Sequence, residues 1–166
     1  ETNSIGSESR ITMRGSGFQS DRGNRGITIL QDGVKATGVE GTFSTLMNDP
    51  FTLHFVEVYP GANGFAQGSN QLGGALNYVL RNGLNSPGSS LQADYGSFDT
   101  IRAAIQHGGS EGNLDYFGSF SHSQSNGYRD LQEWNKDYFL ANVAYKWSDS
   151  ASTRFYFNAL DATAEI

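Results

Sequence analysis

Two arginines three positions apart, Arg22 and Arg25, sit in the loop Gln-Ser-Asp-Arg-Gly-Asn-Arg-Gly that runs from 19 to 26. Guanidinium groups make forked, charge-assisted hydrogen bonds, so such a pair can hold an anionic ligand. The plainer alternative pairs one of them with Asp21 and leaves the other in water. A second group lies in the stretch 124–136, which carries Asn126, Tyr128, Arg129 and Trp134. Aromatic and Arg side chains are typical binding anchors, although anchoring of strand ends at a membrane interface explains the aromatics equally well. Arg14 stands immediately before a glycine turn, either as a solvated loop charge or as one half of an ion pair. His54, His107 and His122 share no metal-ligand spacing, and no metal or cofactor is expected. Asp32, Asp49 and Glu57 belong to turns or strand edges with no paired acid–base arrangement. No nucleophile elbow, Walker loop or dinucleotide fingerprint is present. A hydrolase built on His107 or His122 would need a serine at about 3 Å. Catalysis is not expected.

These residues must be held by some framework, and composition limits which. Of 166 residues, 21 are Gly, 17% are charged and 13% are aromatic. Disordered chains lack aromatics, and helical bundles avoid so much glycine, so short strands joined by turns are expected. The chain has no Cys, which excludes a disulfide framework and thiolate metal sites. The net charge of −6 comes from scattered acids without a cationic stripe, so no nucleic-acid partner is expected. No apolar run is long enough for a transmembrane helix. A β-barrel is then the one way for this chain to span a bilayer. The chain opens on Glu1 and stops just after a strand-like run, and it is expected to be a piece of a longer one.

Residues 1–84 read as a small mixed domain with long polar connections. Strands are expected over 10–14, 27–31, 34–36, 55–59 and 73–80, with a brief helix over 44–48. The Asp32-Gly33 pair between two such runs marks a type I′ hairpin, whose central residues both need positive φ. The stretch Leu-Asn-Ser-Pro-Gly at 84–88 reads as a linker. Five alternating runs follow at about 90–96, 100–107, 113–123, 137–147 and 152–160, each near the length that a tilted strand needs to cross a bilayer.

Alternation sorts these runs into two faces. Leu91 and Tyr95, Ile101 and Ile105, Tyr116 and Phe120, Phe139 and Val143, and Phe155 and Phe157 share one. Asp94, Arg102, Asp115, Lys146 and Arg154 all fall on the other. A Lys or Arg facing lipid at the bilayer midplane costs about 2–4 kcal/mol, so a membrane barrel requires this sorting. A soluble antiparallel sheet with one wet face alternates too. Aromatics near strand ends (Tyr95, Tyr116, Tyr145, Trp147) and one long connection, 124–136, among short ones favour the barrel. Both histidines, 107 and 122, fall on the outward face near strand ends.

The first half carries Met-Arg-Gly at 13–15, Leu-Gln-Asp-Gly-Val at 30–34, Val-Glu-Val-Tyr-Pro-Gly-Ala-Asn at 56–63 and Gln-Gly-Ser-Asn-Gln-Leu-Gly-Gly-Ala-Leu-Asn-Tyr-Val at 67–79. Four such segments in this order, leading into alternating strands, resemble the plug domain of TonB-dependent outer-membrane receptors. The resemblance implies a mainly β fold: a plug over 1–84, then about five antiparallel strands of an incomplete transmembrane β-barrel over 85–166. A complete barrel of about 22 strands would surround the plug. It also implies residence in the outer membrane among its lipids. The activity implied is uptake of a metal chelate (a ferric siderophore, haem or similar), driven by the TonB energy-coupling complex through a box not present here. Under this resemblance Arg22 and Arg25 lie at the plug apex, and Arg14 keeps one of the plug arginines that lock to glutamates of the barrel wall. Pro60 stands where the family commonly has a second arginine. The rival expectation is a soluble, secreted β-rich binding domain such as a lectin or adhesin.

Overall fold

The computed structural model describes residues 11–16, 26–38, 43–68, 72–128 and 132–165. Two sheets account for the strands described. The first has the order β2-β1-β4-β3, formed by β1 (Ile27–Gln31), β2 (Val34–Lys35), β3 (Leu53–Pro60) and β4 (Gly74–Leu80). β1 and β4 run parallel, and the outer pairings are antiparallel. Ile27, Thr28, Ile29 and Leu30 are all buried, as expected for a β-branched run in a central strand covered on both faces. Ile27, Ile29 and Leu76 form the core of this unit, with Met13, Phe43 and Tyr78 packed against it. The β1–β2 turn is the expected one: Asp32 and Gly33 have φ of 47° and 79°.

The second sheet is an antiparallel meander in chain order, of β5 (Gly88–Gly96), β6 (Thr100–Glu111), β7 (Leu114–Ser125), β8 (Trp134–Ser148) and β9 (Ala151–Ala164). All five expected runs are strands; those expected over 137–147 and 152–160 extend at both ends, and the other three at one end. Register carries the faces across the sheet. Leu91, Ile105, Phe120, Phe139 and Ala159 lie in one row on the outward side, and Leu91, Ile105 and Phe120 are well exposed. On the inward side Gln106, Asp115, Phe117, Ser119, Ser121, Lys136, Tyr138 and Asn142 are buried, because the first sheet and its loops fill that side.

Several local expectations are corrected. The stretch 11–16 forms a tight turn closed by a Met13–Ser16 bridge, because Arg14 and Gly15 both take positive φ and cannot extend a strand; Arg10 lies outside the described residues. The helix expected over 44–48 is a single 3₁₀ turn, Thr45–Met47, since Asp49-Pro50 starts a second one, Pro50–Thr52. A third 3₁₀ stretch, Gly61–Gln67, went unforeseen. The connection placed over 124–136 is shorter. Pairing continues to Ser125 and resumes at Trp134, so Trp134 is a strand residue opposite Ser125 and Ala164.

Candidate functional site

The two sheets meet along two seams, and each is built from side chains that alternation turns inward. The first seam seats the 3₁₀ turns 45–52 against β6, β7 and β8. Asp49 is 2% exposed and caps the second turn, its Oδ1 accepting from Phe51 N at 2.9 Å. This is ordinary capping chemistry, helped by Pro at the first turn position. The other oxygen, Oδ2, points at the wall. It accepts from Ser121 Oγ at 2.9 Å and lies 3.5 Å from Lys136 Nζ. Both side chains of the ion pair are nearly inaccessible, and Lys136 Nζ also lies 5.3 Å from the centre of the Tyr138 ring. Tyr138 donates to Met47 O at 2.9 Å, and Gln106 donates to Phe51 O. The small inward side chains of β7 (Ser119, Ser121, Ser123) leave room for the turns to come this close.

The second seam holds the connection from β4 to β5. Leu80 is buried among Phe117, Tyr138 and Leu140. Beyond it, Arg81 O accepts from Asn142 Nδ2 at 2.9 Å, and Gly83 N donates to Asp115 Oδ1 at 2.6 Å. Arg154 pairs with the second oxygen of Asp115 and donates to Asn142 Oδ1 at 2.6 Å, so the two acceptors are held in place by one cation. A Cβ at Gly83 would stand 2.0 Å from Gly109 O, which makes glycine obligatory at this approach. Nearby, Asp32 accepts from Leu80 N with one oxygen and from Tyr156 on β9 with the other, at 2.9 and 2.7 Å.

The residues singled out in the sequence fall in different places. Arg14 is exposed, and its guanidinium lies against Gly61, where a Cβ would come within 2.9 Å of Nη1. Arg22, Arg25 and Arg129 lie outside the described residues. Tyr128 is exposed and tilts against Phe98, ring centres 6.3 Å apart, at the tip of the β5–β6 hairpin. Asn126 ties the same two tips together, donating from N to Phe98 O at 2.9 Å and from Nδ2 to Asp99 Oδ2 at 3.0 Å. Trp134 lines a rim cleft with Ser125, Asn126 and Thr163, and Tyr128 is not among the lining residues. His122 pairs with Asp137 at 2.8 Å on the outward face. Ser89 Oγ does approach His107 Nδ1 at 2.8 Å, the distance a hydrolase would need, but on the exposed outward side of the edge strand, with the Tyr116 ring beside the imidazole. No group of three metal-ligating side chains occurs among the described residues.

Asp49 and Lys136 were missed as a site. Asp49-Pro50 read only as a turn, and Lys136 was assigned to a loop. Counting the alternation of β8 back two residues from Tyr138 puts Lys136 on the inward side.

On the small sheet's side, Glu57 on β3 accepts from Asn77 Nδ2 at 2.7 Å and from Tyr59 O–H at 2.9 Å. Those bonds, the Asn77 one first, hold its carboxyl below the usual carboxylate range. The same Glu57 contact raises Tyr59, and burial raises Tyr78.

A meander with an apolar outward face, whose inward face is filled by a separate small sheet through buried charge and main-chain contacts, is the wall of a plugged outer-membrane barrel. Residues 1–75 match the family model described as TonB-dependent Receptor Plug Domain. Solved structures share the arrangement. The pyoverdine outer membrane receptor FpvA from Pseudomonas aeruginosa PAO1 matches with a TM-score of 0.64 and 19% identity, over 81% of this chain and 20% of that one. The FrpB iron transporter from Neisseria meningitidis (F3-3 variant) gives 0.59 and 16%, over 96% and 30%. The siderophore receptor PirA from Pseudomonas aeruginosa gives 0.59 and 16%, over 84% and 26%. At these identities the likeness is one of fold, and the chain spans about a fifth to a third of those receptors. Residues 1–75 therefore match the plug domain of TonB-dependent receptors, and the strands that follow share the fold of the barrel wall in those solved outer-membrane receptors.

Proposed function

We propose that the receptor to which this chain belongs carries a metal chelate, a ferric siderophore in the first instance, across the outer membrane under the pull of the TonB complex. In this reading residues 1–84 are the plug and 85–166 the first strands of the barrel. The observation that carries it is the seating of a family-matched plug on the inward, polar side of barrel strands, by a buried ion pair and main-chain acceptors. That is the arrangement of a gated pore. The naming of pyoverdine, iron and siderophore among the solved relatives supports the chelate. Haem stays the second ligand class.

Arg22, Arg25, Tyr128, Arg129 and Trp134 are assigned as ligand contacts, and Arg14 as a plug lock to a barrel glutamate. Phe98 joins Tyr128 in this assignment. It holds φ at 59°, costly for a bulky residue, and such strain gathers at functional sites. Transport rather than catalysis is the activity, since the Ser89–His107 pair faces outward. A lectin or adhesin would keep such an apolar face out of solvent, whereas Leu91, Phe155 and Phe157 are each more than half exposed.

Iron uptake in a strain lacking the full-length gene, offered one chelate at a time, tests the reading. Loss of growth on one ferric siderophore, restored by the gene and abolished when TonB is absent, is the expected result. Unaltered growth on every iron source, or full uptake without TonB, would overturn it.

A further inference from the structure

The two seams differ in what holds them, and the difference assigns them different parts in opening. At 80–86 the contact is an apolar cluster around Leu80, a glycine pressed against the Gly109 carbonyl, and the Asp115–Arg154–Asn142 group gripping main-chain atoms. It adjoins β5 directly in the chain. At 45–52 the contacts described with the wall are polar: the Asp49 carboxylate, the Met47 carbonyl and the Phe51 carbonyl against Lys136, Ser121, Gln106 and the hydroxyl of Tyr138, whose ring is shared with the Leu80 cluster. A buried pair resists loss of one partner, because the other is left charged without water. When both partners return to water together, their regained hydration offsets the lost attraction. Such a contact is firm when closed and reversible when the whole segment leaves. Apolar packing has no such exchange, because every exposed Å² costs.

We propose that Asp49–Lys136 is the releasable latch of the plug. The segment 43–52 leaves the wall first, while Leu80–Ser86 stays in place as the fixed hinge. The polarity is the reverse of the arginine-on-plug arrangement assigned to Arg14: here the plug supplies the anion and the wall the cation. The proposal rests on the transport reading for its purpose alone, and its test needs no ligand.

Two reporters in the full-length receptor, in native outer-membrane vesicles with no other cysteine present, read the two seams. These are Thr52→Cys, at a position 1% exposed, and Leu80→Cys, at one 2% exposed. Labelling by a water-soluble maleimide follows the population of the opened state. Asp49→Asn keeps a good cap while removing the charge. It should raise labelling at 52 by about ten-fold or more and change it at 80 by less than about two-fold, because free energy lost at one seam shifts that seam's own opening equilibrium. Should Asp49→Asn fail to assemble, Lys136→Gln reads the same contact from the wall. Unchanged labelling at 52, or an equal rise at 80, would overturn the proposal. The second result would mean that the plug leaves as one body.

Discussion

Asp49 does two jobs with two oxygens, and substitutions separate them. Asp49→Ala removes cap and ion pair together, whereas Asp49→Asn removes only the charge. Breaking a buried pair from one side costs about 3–5 kcal/mol, and a cap about 1 kcal/mol. Lys136→Met should therefore weaken plug seating by several kcal/mol. Adding Asp49→Asn to it should recover much of that loss, since no charge is then stranded. Denaturant titration of the purified receptor, following plug unfolding, measures both, and additive losses would argue against a coupled pair. Gly83 is a second test at this scale. Its Cβ would meet the Gly109 carbonyl at 2.0 Å, so Gly83→Ala should loosen the hinge, while Gly33→Asn in the open β1–β2 turn should be tolerated. The residue scale is also where the sequence said least. A carboxylate beside a proline announces a turn, and nothing local reveals that its second oxygen meets a lysine on a strand far along the chain. Arg14, picked out through resemblance, was visible at once, because its Arg-Gly motif is local.

At the scale of elements the sequence was far more legible. Period-two alternation is a backbone property, so the five strands and their two faces could be read before any pairing was known. The misjudged ends at Ser125 and Trp134 lie where Gln, Asn and Ser blur that alternation. The 3₁₀ stretch Gly61–Gln67 escaped because a run of Gly, Ala and Asn has no period. Phe139→Arg, mid-strand on the outward side, should cost about 2–4 kcal/mol in refolding into bilayers, while Asn158→Arg on the inward side should cost far less. Equal costs would contradict the assigned faces. In the small sheet, Glu57 bridges β3 to Asn77 of β4 and has a lowered pKa. A lowered folded-state value contributes stability that is present above the unfolded carboxylate pKa of about 4.5 and is lost as pH falls through the folded value. Glu57→Gln should flatten that acid-side fall in plug stability. An unchanged pH profile would mean that the bridge contributes nothing.

The whole molecule is an arrangement of three layers: bilayer, strand wall, and plug. Each layer chooses one face of the layer beside it. Apolar rows such as Leu91–Ile105–Phe120–Phe139 suit acyl chains, and the inward rows of Ser, Gln, Asn and Tyr suit a plug whose loops offer main-chain carbonyls. Under the transport proposal glycine suits the plug as well, since a part that rearranges gains from a permissive backbone. The proposed transport depends on this layering. Nitroxide labels at 120, 139 and 157, compared with labels at 121, 140 and 158, in the full receptor reconstituted in lipid, test it most directly. Their collision rates with dissolved oxygen and with a water-soluble nickel chelate are the quantities to measure. The outward three should collide mainly with oxygen, as lipid-facing sites do, and the inward three should be shielded from it. Oxygen contact at 121 and 140, or water contact at 120 and 139, would contradict the account.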